Sequence, residues 1–187
     1  RNWWCCGVVI PGRGFIMNNT MADFSPKVGV RTTQGLAYGM ANAVRPGKTP
    51  LSSMSPTIVL KEGEPVLAVG SAGGPRIITS TLQLIINTLD YGMMMDSAVK
   101  TPHMCCLTRD QGLELEEGFS PDTVKLLEAR GHKIAGTTDF GVLLVMPNGI
   151  MKKDGQFFPG GTSRVDGGGG VLTKAGTAAI DGICFKF

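Results

Sequence analysis

The sequence predicts an α+β fold in which helices and a mostly antiparallel sheet form separate layers. Short β-rich runs come first, two helical segments follow, and further strands end the pattern. Residues 57 to 60 and 65 to 69 are predicted to form a hairpin around Gly63. Both of its faces are apolar, which favours a central place in a sheet covered by helices. This segregated order favours a layered sandwich over a doubly wound parallel sheet.

The composition indicates a globular chain with a sizeable core. Its 187 residues are 42% hydrophobic, so we expect one domain or one subunit of a compact whole. The 18 basic and 15 acidic residues give a net charge of +3 without a cationic run, which predicts no nucleic acid partner. No apolar stretch reaches the roughly 20 residues of a membrane helix. We therefore expect no membrane contact from this chain.

The chain has five cysteines and two histidines. Their spacing matches neither a zinc site nor a disulfide framework, so no metal and no cofactor are predicted. We expect the cysteines to be buried small apolar residues. They are Cys5, Cys6, Cys105, Cys106 and Cys184. With only His103 and His132 present, a Ser-His-Asp triad within the chain is not expected, and His132 is expected on the surface.

Two helices are predicted. The first runs from Pro75 to Tyr91 and carries two stripes at helical spacing. One stripe comprises Ile78, Leu82, Ile85 and Leu89, and the other comprises Ile77, Thr81, Leu84 and Thr88. The second helix has Ser120 as its N-cap, Pro121 at its first position and Gly131 as its stop signal.

The remaining segments are less regular. Short β-rich runs at 7–11 and 14–17 precede residues 20–56, which are rich in Gly, Pro, Ser and Asn. An irregular segment that long is typical of a functional site. Pro147-Asn148-Gly149 predicts a hairpin turn between 142–146 and 150–152. From Val171 onward we expect an extended strand or a loosely anchored tail.

Gly73 and Gly74 are the first candidate site residues. They lie where a strand meets a helix, so their N–H groups and the positive helix terminus could bind an anion. Suitable anions are a carboxylate, a phosphate, or an acyl-transfer oxyanion, for which one well-aimed donor contributes about 3 kcal/mol. The alternative is a tight strand-to-helix turn without a ligand.

Three further side chains could complete a binding site. The hydroxyls of Ser52 and Ser53, between Pro50 and Pro56, suit a carboxylate or zwitterionic ligand, or else cap a turn. Asp23 could pair with an ammonium group, or could be an N-cap or a solvated aspartate. The residue pattern alone leaves these alternatives open.

Three blocks of the sequence resemble the small subunit of the gamma-glutamyltransferase family, in the family's order and spacing. They are Gly14–Ser25 (GFIMNNTMADFS), Pro50–Val59 (PLSSMSPTIV) and Ser71-Ala72-Gly73-Gly74 with Ile77-Ile78-Thr79. Phe119–Thr123 and Ser163–Gly167 extend the similarity, which covers positions 7 to 171.

The resemblance implies an N-terminal-nucleophile hydrolase with a four-layer αββα sandwich, completed by a large subunit of the same precursor. Positions 1–171 would belong to that domain and 172–187 would be a tail. The implied reaction moves a gamma-glutamyl group from glutathione or a similar donor to water, an amino acid or a dipeptide, without a cofactor. The implied location is periplasmic or secreted. The nucleophile would be a threonine upstream of this chain, with its own amino group as base.

The resemblance also implies roles for individual residues. Gly73 and Gly74 would form the oxyanion hole, Ser52 and Ser53 would bind the glutamyl α-carboxylate, and Asp23 would bind its α-ammonium. Thr20 is a further substrate-binding position.

The chain departs from the family at several of these positions. Thr20 stands where the family often has Gln or Glu. Ala22 replaces one acid of an Asp-Asp pair, and Arg1 stands where an asparagine is usual.

Two alternatives to the gamma-glutamyl reading remain. One is a related cephalosporin acylase or capsule polyglutamate transpeptidase. Asp23 favours the gamma-glutamyl interpretation over this alternative, because an acylase or capsule transpeptidase would not need an acid at Asp23 to bind an α-ammonium group. The other is a non-catalytic homologue or fragment that acts as an interaction module.

Overall fold

The computed structural model describes residues 7–31, 39–139 and 145–164, and the backbone of 171–173 and 176–178. Helices and strands both contribute, which confirms the α+β prediction. In chain order the elements are β1 (Thr57–Lys61), β2 (Glu64–Ala72), α1 (Ile77–Leu89), α2 (Met95–Lys100), β3 (Met104–Cys105), β4 (Leu113–Glu116), α3 (Pro121–Ala129), β5 (Ile134–Thr138), β6 (Met146–Lys153), β7 (Gln156–Gly160), β8 (Val171–Thr173) and β9 (Gly176–Ala178).

A four-stranded antiparallel sheet in the order β1-β2-β6-β7 organises the fold. The predicted hairpin is confirmed as β1 and β2, with Glu62 and Gly63 at positive φ in its turn. Only β2 is central as expected, because β1 lies at the edge of the sheet. Thr57 at the start of β1 pairs with Val69 near the end of β2, so the segment before β1 and the loop after β2 leave the sheet at the same end.

Helix α1 covers one face of this sheet, as predicted, together with α2. The core between these helices and the sheet is formed by Leu67, Val69, Leu84, Met95, Ala98 and Val99. The stripe that begins at Ile77 faces this core, whereas Ile78, Leu82 and Leu89 are exposed. Thr88 is tolerated in the core because its hydroxyl donates to the Leu84 carbonyl at 2.7 Å.

The hairpin predicted around Pro147-Asn148-Gly149 is wrong. These residues lie inside β6, and the chain turns instead at Asp154 and Gly155, which both have positive φ. Gly149 serves close packing, since a Cβ there would lie 2.8 Å from Val69 Cγ1 and 2.7 Å from Met95 Sδ. Val142 to Leu144 of the predicted first strand lie outside the described residues.

A second sheet of three strands has the order β3-β4-β5, with β4 and β5 parallel and α3 as their crossover. Helix α3 begins as predicted, because Ser120 Oγ accepts the Thr123 N–H at 3.1 Å and Pro121 follows it. Helix α2 was not predicted. Its six residues are too few to show a helical period.

The segments around the main sheet agree with the sequence in outline. Residues 7–31 contain an isolated β-bridge between Val9 and Ile16 and a 3₁₀ turn at Thr20–Asp23. A second 3₁₀ turn spans Met40–Asn42. Near the chain's end, β8 and β9 pair antiparallel, and the rest of the predicted tail lies outside the described residues.

Candidate active site

The loop after β2 has the geometry of a glycine-dependent strand-to-helix junction. Gly73 has φ 141° and Gly74 has φ 61°, so both lie in the region that L side chains avoid. Pro75 follows within a 3₁₀ turn, Gly74–Arg76, which leads directly into α1. Apart from its neighbours Gly73 and Pro75, no heavy atom of the described residues lies within 4 Å of the position that a Cβ would take on Gly74, so a ligand can approach that backbone.

Arg76 ties this loop to the second sheet. Its Nε donates to Glu114 Oε2 at 2.7 Å and its Nη2 donates to Glu114 Oε1 at 2.8 Å. Glu114 lies on β4, and the hydrogen bond to its carboxylate raises the pKa of Arg76 above its usual value. A bidentate pair limits rotation of the guanidinium. The backbone of the glycine loop is therefore held two residues after Gly74.

Ser52 and Ser53 lie on the irregular segment that enters β1. Because Thr57 pairs with Val69 and the strands are antiparallel, this segment and the loop that carries Gly73 leave the sheet at the same end. Ser52 is exposed, and its Oγ accepts the Met54 N–H at 3.2 Å. The turn-capping interaction weighed for these serines is thus present at Ser52.

Asp23 ends the 3₁₀ turn that begins at Thr20. Asp23 is half-buried, with its Oδ2 shielded from solvent. Thr20 is also half-buried, and its N–H donates to Asn18 Oδ1 at 2.9 Å. The N-cap of this turn is Asn19, so Asp23 is not the N-cap that the sequence allowed.

Asn42 connects Asp23 with the serine segment, and sequence reasoning missed it. Its Nδ2 donates to the Asp23 carbonyl at 2.7 Å, and its Oδ1 accepts the Leu51 N–H at 3.0 Å. Asn42 is 8% exposed. The sequence signal available for Asn42 was its place as a polar residue between Ala41 and Ala43.

A buried charge cluster joins Glu116 of the second sheet to Arg164 and His103. Arg164 Nε donates to Glu116 Oε1 at 2.6 Å, and Arg164 Nη1 donates to the Val99 carbonyl at 2.7 Å. Glu116 Oε2 also accepts the His103 N–H at 2.7 Å. The guanidinium and the carboxylate are both inaccessible to solvent, so each depends on the other for compensation of its charge.

His103 belongs to this cluster and is 1% exposed. Burial, reinforced by the neighbouring Arg164 charge, lowers the pKa of His103 to about 4. Nδ1 lies 3.0 Å from Arg164 Nη2, so a protonated ring would bring a second cation against the buried guanidinium. His103 is therefore a neutral structural residue near pH 7. His132 is exposed, as expected.

The cysteine prediction is half correct where the structure tests it. Cys105 is buried, and that burial raises the pKa of its thiol, but Cys106 is exposed. Cys5, Cys6 and Cys184 lie outside the described residues. Among the described side chains, no group of three or more His, Cys, Asp or Glu could hold a metal ion.

The arrangement combines three chemically distinct groups. Glycine backbone follows the end of β2, the segment that carries the two serines precedes β1 at the same end of the sheet, and Asn42 joins that segment to the turn that carries Asp23. Backbone N–H groups suit an oxyanion, hydroxyls suit a carboxylate, and a carboxylate suits an ammonium group. Such a set matches a ligand that carries both charges.

Comparison with known proteins identifies relatives that cover about two thirds of this chain. The glutathione hydrolase proenzyme of Escherichia coli is 51% identical over 129 residues, which are 69% of this chain and 22% of that protein. The acylase ACY 1 proenzyme of Pseudomonas sp. SE83 is 39% identical over 127 residues, 68% of this chain and 21% of that protein. The chain thus spans about a fifth of the length of these curated relatives.

The fold is shared with solved structures. The crystal structure of the Helicobacter pylori gamma-glutamyltranspeptidase T380A mutant superimposes with a TM-score of 0.78 at 39% identity, over 87% of this chain and 88% of that one. Residues 2–168 match the sequence model of the gamma-glutamyltranspeptidase family. This chain therefore belongs to the gamma-glutamyltranspeptidase family, whose N-terminal-nucleophile hydrolase fold it shares.

Proposed function

We propose that this chain is the small-subunit part of a gamma-glutamyl hydrolase or transpeptidase that cleaves glutathione-like donors. The observation that carries the proposal is the pair of hydrogen bonds by which Asn42 joins the Asp23 turn to the serine segment. A gamma-glutamyl donor carries an ammonium group and a carboxylate on one carbon atom. An acid and two hydroxyls on segments that one side chain joins match that head group.

The proposed division of labour follows from charge. Asp23 binds the α-ammonium group, Ser52 and Ser53 donate to the α-carboxylate, and Thr20 adds a hydroxyl beside Asp23. The N–H groups of Gly73 and Gly74 stabilise the oxyanion that forms when the gamma-amide is attacked, about 3 kcal/mol for a well-aimed donor. The open space above Gly74 supports this role.

The attacking group in the proposal is a threonine upstream of this chain. Its own α-amino group, with a pKa of about 8 in a free chain, can take the hydroxyl proton close to neutral pH. The amine of the donor leaves with that proton as the glutamyl ester forms on the threonine. Water, an amino acid or a dipeptide then attacks the ester, which transfers the gamma-glutamyl group and restores the threonine hydroxyl. In both steps negative charge develops on the carbonyl oxygen of the gamma-glutamyl group, where the N–H groups of Gly73 and Gly74 would stabilise it.

We further propose a large subunit of the same precursor as the partner. Ile58 and Leu60 on β1 are 68% and 59% exposed and alternate with Val59, which packs against the core under α1 and α2, so the other face of the main sheet is uncovered by the described residues here. A second sheet packed on the uncovered face would complete the four-layer αββα sandwich. Among the described residues, no helix is both long and apolar enough to cross a bilayer. A location outside the cytoplasm is proposed separately, because membership of the family supports it.

The decisive experiment uses the full-length protein that carries this chain and a gamma-glutamyl anilide. Asp23→Asn should lower kcat/KM about 10- to 100-fold, because a charged hydrogen bond contributes about 1.5–3 kcal/mol. Asp122→Asn is the matched control, since Asp122 is exposed on α3. An unchanged rate in Asp23→Asn would refute the ammonium-binding role.

Two measurements separate the alternatives. An acylase that acts on side-chain amides would cleave a glutaryl anilide, which lacks the α-ammonium group, at least as fast as the gamma-glutamyl anilide. The proposal predicts the reverse preference, because Asp23 would be left without a cation. N-terminal sequencing of the purified protein tests the interaction-module alternative. A free threonine upstream of this chain supports the enzyme, and its absence supports the module.

A further inference from the structure

Asn42 is the polar centre of a small loop assembly. Beyond its two side-chain bonds, its own carbonyl accepts the Ser25 N–H at 2.9 Å. Ser25 and Ala43 also form a parallel β-bridge, and Ser25 Oγ donates to the Gly39 carbonyl at 3.3 Å. The turn ending at Asp23, the turn ending at Asn42 and the segment entering β1 therefore meet at one buried side chain.

The side chain at this position must donate and accept at the same time. Nδ2 donates to the Asp23 carbonyl while Oδ1 accepts the Leu51 N–H. An amide does both, whereas a carboxylate only accepts and an aliphatic group does neither. Because Asn42 is buried, loss of either bond leaves a main-chain group without this protein partner.

The two bonds span the parts of the site that bind opposite charges. Asp23 is itself the residue whose carbonyl is held, and Leu51 directly precedes Ser52. Lys48 Nζ donates to the Ala41 and Ala43 carbonyls on either side of Asn42, which steadies the turn between them. The position of Asp23 relative to Ser52 therefore depends on the side-chain amide of Asn42.

We propose that Asn42 is a positioning residue that fixes the separation of Asp23 from Ser52 and Ser53 and so sets selectivity for donors with an α-amino acid head group. This inference rests on the proposed function. The ammonium group and the carboxylate of such a donor are bonded to the same carbon, so their binding groups must be spaced to match. A misplacement of about 1 Å can cost about 10²-fold in rate.

Two substitutions distinguish the roles of the two hydrogen bonds that the Asn42 side chain makes. Asn42→Asp keeps an acceptor for the Leu51 N–H and removes the donor to the Asp23 carbonyl. Asn42→Ala removes both. Gln83→Ala is the matched control, because Gln83 is also an amide that bridges two segments, donating to the Met104 carbonyl at 2.8 Å and accepting the Met104 N–H at 3.0 Å.

The readout is competitive inhibition of the full-length protein by L-glutamate and by glutarate, which lacks only the ammonium group. In Asn42→Asp, we expect the inhibition constant of L-glutamate to rise at least about tenfold and that of glutarate to change less than about threefold. In Asn42→Ala both inhibitors should weaken. Gln83→Ala should keep the wild-type ratio of the two inhibition constants. If Asn42 had only a structural role, Asn42→Asp would also leave that ratio unchanged.

Hydrogen–deuterium exchange supplies a readout that needs no activity. The peptide that contains Leu51 should exchange faster in Asn42→Ala and at the wild-type rate in Asn42→Asp, because only the latter retains the acceptor. A glutamate-to-glutarate ratio within about twofold of wild type in a folded Asn42→Asp protein would overturn the inference. Equal weakening of both inhibitors in that variant would also overturn it. A wild-type protein that does not prefer L-glutamate to glutarate would instead refute the proposed function, whatever the exchange rates show.

Discussion

The buried His103 predicts a measurable pH dependence of stability. Its ordinary pKa of 6.5 applies to the unfolded chain, whereas burial and the Arg164 charge lower the folded value to about 4. Between these values the unfolded chain binds a proton that the folded protein does not bind. Stability contributed by neutral His103 is therefore fully present above about pH 6.5 and is lost as the pH falls towards about 4.

The magnitude follows from the difference between the two pKa values. A separation of about 2.5 units, at 1.36 kcal/mol per unit, gives a total loss of about 3 kcal/mol below pH 4. Between about pH 7 and pH 4.5 the expected loss is about 2 kcal/mol. The nearby Glu116 carboxylate acts in the opposite direction, because it favours the protonated ring, but burial and the Arg164 charge outweigh it.

The assay is urea unfolding of the full-length protein across this pH range, compared between variants. His103→Asn places a neutral amide near Nδ1, the ring atom that faces Arg164 at 3.0 Å. It should lose about 2 kcal/mol less than wild type on acidification. The exposed His132→Asn is the control and should follow wild type. Identical pH profiles for His103→Asn and wild type would show that His103 does not titrate with a lowered pKa.

Two further predictions test the glycine loop and the core. Glu114→Gln should lower kcat about 3- to 10-fold with a smaller change in KM, because the anchor of Arg76 weakens by about 1 kcal/mol; the exposed Glu117→Gln is its control, and equal kcat values in the two variants would contradict the anchoring role. Gly149→Ala should destabilise the protein by about 1–3 kcal/mol through overpacking against Val69. Gly136→Ala, where a Cβ meets nothing within 4 Å, should stay within about 0.5 kcal/mol in thermal unfolding, and a similar loss in both variants would rule out the packing explanation.

Local signals predicted the elements whose information lies in neighbouring residues. Ser120 and Pro121 begin α3 because the cap and the fixed proline dihedral act within one turn. The β1–β2 hairpin formed where an apolar pattern surrounds Gly63. These interactions need no partner from elsewhere in the chain.

Errors arose where distant residues made the choice. Asn148 and Gly149 have turn-forming propensity, but β6 continues through them because Gly149 packs against Val69 and Met95. Cys106 is exposed although Cys105 is buried, since neighbouring residues of a strand edge face opposite ways. Periodicity could not choose between the two stripes of α1, because both are spaced for a helix.

For the candidate site, the sequence determined the chemical groups through local motifs and family resemblance. It supplied the paired glycines, the adjacent serines and Asp23, together with the α+β class. Only the tertiary structure decided how these groups are held, through Asn42 at one end and Arg76 with Glu114 at the other. The physical reason is that a hydrogen bond between residues 19 or 38 positions apart depends on how the whole chain folds, and no local period or spacing records it.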